Sequence, residues 1–199
     1  MKIIGITGQS GSGKGFLSAA LASLGYFHAD ADKIYHDLLL TNQSLKEELA
    51  DAFGSDIVKN GEIDRVALGK KVFGKKNARK LARLNKIAHK YVCREYVKLI
   101  ISLKKEGAKG IIIDAPLLIE ARLHKLCDFT VHVYSDEETR IERIMKRDSI
   151  TREAALLRIR SQKPWPFYAT QCDDILINNG ETSIDNYAKG LDKLLNGEN

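Results

Sequence analysis

The N-terminal stretch Met1-Lys2-Ile3-Ile4-Gly5-Ile6-Thr7-Gly8-Gln9-Ser10-Gly11-Ser12-Gly13-Lys14 joins a short apolar run to a glycine-rich turn that ends in a lysine. The run predicts a buried strand because it is short and rich in isoleucine. The residues after Lys14 predict a helix that continues to about Leu24. A glycine-rich turn with a terminal lysine, between a strand and a helix, is typical of a phosphate-binding loop, or P-loop. The stretch therefore predicts an α/β nucleotide-binding fold.

Each residue type of this loop has a physical task in holding phosphates. Glycines let backbone N–H groups turn toward phosphate oxygens, and the start of the following helix adds a partial positive charge. The ammonium group of Lys14 would neutralise the β and γ phosphates of a nucleotide. We expect the following residues to bind ATP: Gly11, Ser12, Gly13, Lys14, Gly15 and Phe16. A plain glycine-rich turn is the alternative, but it offers no reason for the lysine.

Length and composition are those of one globular domain, with 199 residues of which 44% are hydrophobic and 29% charged. No apolar run approaches the roughly 20 residues that a membrane span needs, so we expect no membrane partner. The first strand follows Met1 without a long apolar signal segment, which predicts a cytoplasmic protein. Cys93, Cys127 and Cys172 fit no CxxC or Cys/His pattern, which predicts neither a disulfide framework nor a zinc site.

The formal net charge of +6 is compatible with a polyanionic partner. However, the basic residues accompany no helix-turn-helix, no RNA-binding signature and no aromatic stacking platform. Phosphate-rich small molecules are attracted to a basic surface equally well. We therefore expect small phosphorylated ligands and no nucleic-acid partner.

Short β-rich runs alternate with helical patterns along the chain, which is typical of a parallel sheet with crossover helices. The strands predicted after the first are Tyr26–Asp30, Gly110–Asp114, Phe129–Tyr134 and Asp174–Asn178. Five parallel strands with helices on both faces predict a three-layer α/β fold.

Two helical segments interrupt this alternation. The segment after the second strand predicts helices over Ser44–Phe53 and Asn77–Lys105, and it is too long for a simple crossover. We expect an all-helical acceptor-binding insertion at about 35–106, because ligands of α/β folds bind beyond the strand ends. A small helical lid is expected at about 137–162. The core of the single domain would then comprise about 1–34, 107–136 and 163–199.

Acidic residues follow two of the predicted strands. Asp30-Ala31-Asp32 closes the second strand, and strand alternation would place both aspartates on one side, near the P-loop. We expect Asp32 to accept the proton of an acceptor hydroxyl and Asp30 to support it, unless one of them caps the helix near Lys33. Asp114 ends the most apolar strand and so resembles the carboxylate of a Walker B motif. The alternative is that Asp114 only forms the turn at the end of the strand. We expect Asp32 and Asp114 to hold Mg²⁺, directly or through water.

Gly15 stands where a P-loop commonly carries the hydroxyl residue that ligates Mg²⁺, and Phe16 follows where a second hydroxyl is common. Mg²⁺ keeps several waters and needs only one or two protein carboxylates besides substrate phosphates. A water could therefore replace the missing hydroxyl. We expect an active enzyme whose use of Mg²⁺ is weakened.

A basic cluster lies in the predicted lid. Its members are Arg140, Arg143, Arg147 and Arg152, of which the first three recur at helical spacing. Guanidinium groups match phosphate oxygens and would stabilise the charge of a transferring phosphoryl group while the lid excludes water. The same segment contains Glu137, Glu138 and Glu142. A solvated, salt-bridged helix is therefore the alternative.

The order and spacing of several motifs resemble those of the dephospho-CoA kinase family over nearly the whole chain. The motifs are Gly8 to Lys14, Asp30-Ala31-Asp32 with Ile34 and His36, Arg65, His89, Asp114-Ala115-Pro116-Leu117-Leu118-Ile119-Glu120, Arg143 to Asp148, Arg158 to Gln162 and Asn178-Asn179-Gly180. The Asp-Ala-Asp and Pro-Leu-Leu-x-Glu elements are far more specific than a P-loop, which many NTPases share. The resemblance implies a P-loop kinase that transfers phosphate from ATP to the 3′-hydroxyl of dephospho-CoA, the last step of coenzyme A synthesis.

The resemblance also implies roles for individual residues. Asp32 would be the base, Lys14 and Arg143 the phosphate clamp, and Arg147 part of the lid that binds ATP. Asn178 to Gly180, including Asn179, would flank the adenine. The acceptor side would comprise Asp30, Arg65, His89, Leu117, Glu120 and Arg140.

Three departures from the family pattern stand out: Gly15, Lys90 where a proline usually follows the histidine, and Lys163–Tyr168 in place of a polar helical segment. Pro164-Trp165-Pro166 cannot continue a helix. Two other functions stay open at this point. One is phosphorylation of a nucleoside monophosphate on the same fold, and the other is nucleotide binding without catalysis. We expect a monomer, although the sequence leaves the oligomeric state open.

Overall fold

The computed structural model describes residues 1–197, apart from the side chain of Lys75, and it divides into two compact units. The sheet unit comprises residues 1–30 together with the chain from Ser102 onward. The helical unit comprises Ala31–Ile101. The boundary between the units at Ile101 and Ser102 falls within the long helix Ala78–Lys105.

The helices and strands follow one another along the chain in this order: β1 (Lys2–Gly8), α1 (Lys14–Ser23), β2 (Phe27–Asp30), α2 (Ala31–Thr41), α3 (Gln43–Phe53), β3 (Val58–Lys59), β4 (Glu62–Ile63), α4 (Arg65–Val72), α5 (Ala78–Lys105), β5 (Gly110–Asp114), β6 (Phe129–Tyr134), α6 (Glu137–Asp148), α7 (Arg152–Arg160), α8 (Trp165–Ala169), β7 (Asp174–Ile177) and α9 (Ile184–Asn196). Short 3₁₀ turns occur at Ser55–Ile57, Lys75–Asn77 and Leu123–Leu126.

Within residues 1–197, the sheet unit contains a five-stranded sheet in the order β2-β5-β1-β6-β7. All neighbouring strands are parallel. The predicted α/β fold with a five-stranded parallel sheet is therefore confirmed. The strands Gly110–Asp114 and Phe129–Tyr134 begin and end at the predicted residues.

Side-chain alternation along β6 separates two faces of the sheet. Val131 and Val133 belong to a buried cluster with side chains of α1 and α9, such as Leu17 and Leu191. His132 points to the other face, where its ring stacks on Tyr168 of α8. Burying each aliphatic side chain of such a cluster contributes about 1.5–3 kcal/mol, so packing of both faces holds the carboxyl edge of the sheet in place.

The helical unit is not all-helical, and this corrects the expectation for the insertion. β3 and β4 form an antiparallel hairpin in which Val58 pairs with Ile63. Its two-residue turn, Asn60-Gly61, has φ angles of 51° and 79°. Asn-Gly is a strong signal for such a turn, because both central residues need positive φ.

The placement of Asp32 in a strand was also wrong. β2 ends at Asp30 and α2 begins at Ala31, so Asp32 lies in the first turn of a helix. Strand alternation therefore does not relate the two aspartates. A carboxylate in a first helical turn interacts favourably with the helix dipole, by about 0.3–1 kcal/mol.

The predicted lid segment forms α6 and α7, which pack through Ile141, Ile144, Ala155 and Ile159. Asp136 and Thr151 cap the starts of these two helices with their side chains. Across the described chain, residues 1–197, we find no helix with the length and apolar character needed to span a bilayer.

Candidate active site

The P-loop connects the end of β1 to the start of α1. Gly11 and Gly13 have φ angles of 80° and 87°, a region that glycine adopts without strain. A Cβ atom on Gly11 would lie 2.7 Å from the backbone oxygen of Arg140, so a side chain has no room there. The predicted loop thus has positive φ angles at Gly11 and Gly13, which suit a tight glycine-rich turn between a strand and a helix.

Lys14 is held at the carboxyl edge of the sheet by Asp114, with which its ammonium group forms an ion pair. Asp114 is only 2% exposed, and its Oδ2 atom accepts a hydrogen bond of 2.8 Å from the hydroxyl of Ser18. His28 Nε2 lies 3.1 Å from the same oxygen. Asp114 is therefore joined to the P-loop lysine, as expected for a carboxylate that acts beside bound phosphates.

Asp30 ends β2 directly beside Asp114, because the two residues are register partners in neighbouring parallel strands. Asp30 is partly exposed. The sheet edge next to Lys14 therefore presents two adjacent carboxylates, Asp30 and Asp114. The sequence pattern instead predicted that Asp30 and Asp32 would lie side by side.

Arg140 lies under the P-loop, which differs from its expected place on the acceptor side. It is 4% exposed, and its guanidinium donates to the Ser10 carbonyl at 2.9 Å and to Gln9 Oε1 at 2.8 Å. A third hydrogen bond of 3.3 Å reaches Gln162 Oε1. Burial lowers the pKa of Arg140, but these acceptors offset part of the cost of burying the charge. The hydrogen bonds of Arg140 to Gln9 and Ser10 therefore stabilise the P-loop.

Arg143 contacts the loop from the side of α6. Its Nη1 atom donates to the Ser135 hydroxyl at 2.9 Å and lies 3.3 Å from the Gly11 carbonyl. Asn178 is 5% exposed and donates from Nδ2 to the Ser12 carbonyl at 2.8 Å. Asn178 therefore supports the P-loop backbone, a role that the sequence did not indicate.

The hydrogen bonds of Asn179 and Arg147 go to residues outside the P-loop. The side-chain oxygen of Asn179 accepts a hydrogen bond of 3.0 Å from the Asp136 backbone, at the start of α6. Arg147 forms a two-point ion pair with Asp148, at 2.7 and 2.9 Å. The guanidiniums of Arg147 and Arg158 hold the pKa of Asp148 well below its usual range. Arg147 thus forms an ion pair within the lid, but with an aspartate and not with one of the three glutamates named for the salt-bridged alternative. Its binding of ATP stays a prediction.

The acceptor-side residues of the sheet unit follow β5. Leu118 and Ile119 are buried and anchor the loop after Asp114, whereas Leu117 is 37% exposed. Glu120 is partly buried, and its Oε1 atom accepts a hydrogen bond of 3.2 Å from the hydroxyl of Tyr168. The Thr7 hydroxyl donates to the Pro116 carbonyl at 3.2 Å, which ties the loop to β1 just before the P-loop.

The remaining acceptor-side candidates, Arg65 and His89, belong to the helical unit. Arg65 is exposed at the start of α4, which Asp64 caps. His89 is partly buried, and burial lowers its pKa. Lys90, the departure from the family pattern, pairs with Glu48 at 2.6 Å. It therefore has a local structural role.

His132 is an uncharged histidine inside the sheet unit. It is completely buried, and neither ring nitrogen has a hydrogen-bond partner among the described residues. Burial, with a smaller contribution from Arg140, lowers its pKa from 6.5 to about 4. Between these values the unfolded chain binds a proton on this ring that the folded protein does not.

We expect the unfolding free energy to fall as pH drops from 6.5 toward 4, by up to about 3 kcal/mol from this ring alone. His132→Phe should remove that contribution, so its melting temperature should depend less on pH in this window. Thermal melts at a series of pH values measure the slope. The same exchange at exposed His36 is the control, and equal slopes for the His132→Phe and parent proteins would contradict the assignment.

Several supporting residues were missed because their roles depend on contacts far along the sequence. They are Gln9, Ser18, His28, Ser135, Gln162 and Tyr168. Only Gln9 and Gln162 carried a signal, since each belongs to a motif quoted for the family resemblance. Ser18 lies one helical turn after Lys14, and nothing in its local sequence indicates a bond to Asp114.

Comparison with known proteins gives a consistent result. The dephospho-CoA kinase family model matches residues 2–183. The chain is 40% identical to a dephospho-CoA kinase of Carboxydothermus hydrogenoformans over 90% of this chain and 87% of that protein. Its fold is similar to the crystal structure of TT1252 from Thermus thermophilus, with a TM-score of 0.76, 31% identity and coverage of 100% and 98% of the two chains.

A further similar structure is the dephospho-CoA kinase from Campylobacter jejuni. Its TM-score is 0.69 at 26% identity, and the match covers 99% of this chain and 98% of that one. The chain belongs to the dephospho-CoA kinase family.

Proposed function

We propose that this enzyme transfers the γ-phosphate of ATP to the 3′-hydroxyl of dephospho-CoA, giving coenzyme A and ADP. The observation that carries the proposal is the P-loop lysine, Lys14, paired with Asp114 at the carboxyl edge of the sheet in a chain of this family. Phosphoryl transfer depends mainly on positioning and charge neutralisation, and a P-loop with such a lysine supplies both.

The proposed reaction assigns each group a step. The 3′-oxygen of the acceptor forms a bond to the γ-phosphorus, while the bond from that phosphorus to the β–γ bridging oxygen breaks and ADP leaves. Asp32 accepts the proton of the hydroxyl. Lys14 and Arg143 neutralise the charge of the transferring phosphoryl group, and P-loop N–H groups hold the neighbouring phosphates.

Mg²⁺ is the proposed cofactor, and the residues of the sheet edge fit it. Asp114 and its register partner Asp30 supply carboxylate oxygens, which Mg²⁺ prefers, and Asp32 is the further predicted ligand. Among residues 1–197, no group of three or more His, Cys, Asp or Glu side chains is arranged to hold a metal alone. Substrate phosphates and water would therefore complete the ligand set. When bound, Mg²⁺ neutralises charge on the phosphates.

Restoring a hydroxyl with Gly15→Ser should lower the Mg²⁺ concentration for half-maximal activity several-fold. A Cβ atom on Gly15 would meet no other atom within 4 Å, so a serine fits without a shift of the backbone. Titration of activity with Mg²⁺ at saturating ATP measures the effect. Gly190→Ser is the matched control, because Gly190 also lies in a helix with open space around it. An unchanged Mg²⁺ requirement in the Gly15→Ser enzyme would sink the idea.

The charge of the helical unit supports an acceptor that carries phosphates. Ala31–Ile101 contains fifteen Lys and Arg against nine Asp and Glu, which equals the whole net charge of +6. Residues 65–98 contain twelve of these basic residues and one acidic residue, Glu95. Dephospho-CoA carries a diphosphate, so electrostatic attraction would favour its approach to this unit.

A panel of acceptors tests the choice of substrate. With ATP and Mg²⁺ present, we expect dephospho-CoA to be phosphorylated with a far higher kcat/KM than any nucleoside monophosphate. Preference for a nucleoside monophosphate would replace this proposal with the alternative kinase function. We further propose that the enzyme is a cytoplasmic monomer. Light scattering with size-exclusion chromatography tests the oligomeric state.

A further inference from the structure

Residues 162–168, here called the connecting segment, join the lid helices to the last part of the sheet unit. They include the Pro-Trp-Pro stretch that departs from the family pattern. At its start, Gln162 Oε1 accepts a hydrogen bond of 3.0 Å from the Ser10 backbone, and the Lys163 carbonyl accepts one of 2.7 Å from Gln9 Nε2. The first residues of the segment are thus bonded directly to the P-loop.

At its other end, the segment is anchored by Tyr168. This residue is 3% exposed, and its ring stacks on His132 with a centroid separation of 4.9 Å and an interplanar angle of 6°. Phe167 packs against it edge to face at 5.1 Å. Burial and the nearby Glu120 carboxylate raise the pKa of Tyr168, so the hydroxyl keeps its proton and remains a donor.

That hydroxyl donates to Glu120 Oε1 at 3.2 Å. The other carboxylate oxygen, Oε2, is buried and has no hydrogen-bond partner among the described residues. A buried carboxylate oxygen without a donor raises the free energy of the folded state. The orientation of the Glu120 carboxylate therefore depends strongly on the hydrogen bond from Tyr168. Glu120 belongs to the loop after β5 that the family resemblance assigns to the acceptor.

We propose that Tyr168 is a positioning residue for the acceptor, which acts by holding Glu120 and its loop at one end of a segment whose other end is bonded to the P-loop. The inference rests on the proposed function, because it takes the Glu120 loop as part of the acceptor site. The rigid ring stack fixes the hydroxyl, and the hydroxyl fixes the carboxylate. The binding surfaces for donor and acceptor are then joined by one short segment whose last residue, Tyr168, is buried.

Tyr168→Phe is the decisive variant, because it removes the hydroxyl and retains the stacking ring. We expect the KM for dephospho-CoA to rise about tenfold, the loss typical of a hydrogen bond to a charged group. The KM for ATP should change less than twofold, since the bonds of Gln162 and Lys163 to the P-loop remain. Steady-state kinetics with each substrate varied separately gives this comparison.

Tyr187→Phe is the matched control, because Tyr187 also donates to a carboxylate, Asp174, at 2.7 Å. Losing that bond should lower stability without changing either KM. An acceptor KM for Tyr168→Phe within twofold of the parent value would overturn the proposal. So would an equal rise in both KM values.

A measurement without substrates separates this inference from the proposed function. Hydrogen–deuterium exchange should become faster in residues 117–122 of Tyr168→Phe, and it should stay unchanged there in Tyr187→Phe. If the parent protein made no coenzyme A but this exchange result held, the proposed function would fail while the positioning of the loop by Tyr168 would stand. Unchanged exchange in both variants would refute the positioning role itself.

Discussion

Asp32→Asn is expected to lower kcat by about a thousandfold while ATP binding stays within a fewfold of the parent value. An amide cannot accept the proton of the acceptor hydroxyl, and a positioned general base contributes about 10²–10⁴ to the rate. The exchange also removes a first-turn carboxylate of α2, whose interaction with the helix dipole is worth about 0.3–1 kcal/mol. A thousandfold loss of kcat corresponds to about 4 kcal/mol of activation free energy, several times the contribution of the helix dipole.

Single-turnover assays for kcat and calorimetry for ATP binding measure the two quantities. Asp37→Asn is the matched control, because Asp37 is also exposed on α2 and the change in charge is the same. Activity of Asp32→Asn within tenfold of the parent enzyme would remove Asp32 from the role of base. Asp30→Asn would then become the next variant, since Asp30 lies beside Asp114.

Lys14→Met is expected to reduce kcat/KM for ATP by a factor of about 10²–10³, the range found when one preorganised charge-stabilising donor is lost. The variant loses the ammonium group that would contact the β and γ phosphates. It also leaves the buried Asp114 carboxylate without its ion-pair partner. Initial rates over a range of ATP concentrations measure the loss.

Lys109→Met controls for the loss of an ion pair in the same unit. Lys109 pairs with Asp192 at 2.9 Å and precedes β5, at the opposite edge of the sheet from Lys14. We expect Lys109→Met to lower thermal stability and to leave kcat/KM nearly unchanged. If both lysine variants lost activity equally, the effect would come from stability, and the proposed role of Lys14 would be wrong.

Sequence patterns predicted the parallel sheet well, because local signals determine each buried strand. The isoleucine run of β5 has apolar residues on both faces, as a strand covered on both sides requires. In β6 the residues Phe129, Val131 and Val133 alternate with Thr130, His132 and Tyr134, and its Val and aromatic content still indicated a strand. The glycines of the P-loop were equally informative, since their positive φ angles limit those positions to glycine.

Sequence patterns gave wrong predictions where the boundary of an element shifts by one or two residues, or where an element is too short to show a pattern. Asp32 was assigned to a strand because alternation was extended past Asp30, whereas the helix begins at Ala31. The Asn60-Gly61 hairpin carries a clear turn signal, but its two-residue strands are too short to show a period.

The site was harder to predict than the fold, as Arg140 illustrates. Helical spacing indicated a phosphate-binding guanidinium, but Arg140 is buried by Gln9, Ser10 and Gln162, which lie far from it in sequence. No local pattern distinguishes an arginine that would contact a substrate from one that supports the loop binding it.

The most direct test of phosphate transfer to dephospho-CoA is a product assay with ATP, Mg²⁺ and dephospho-CoA. A coupled assay measures the ADP released, and mass spectrometry identifies the product formed from the acceptor. We expect coenzyme A phosphorylated at the 3′-position, in an amount equal to the ADP released. ATP binding without formation of coenzyme A would contradict the proposed function and would mark the chain as a nucleotide-binding protein without this activity.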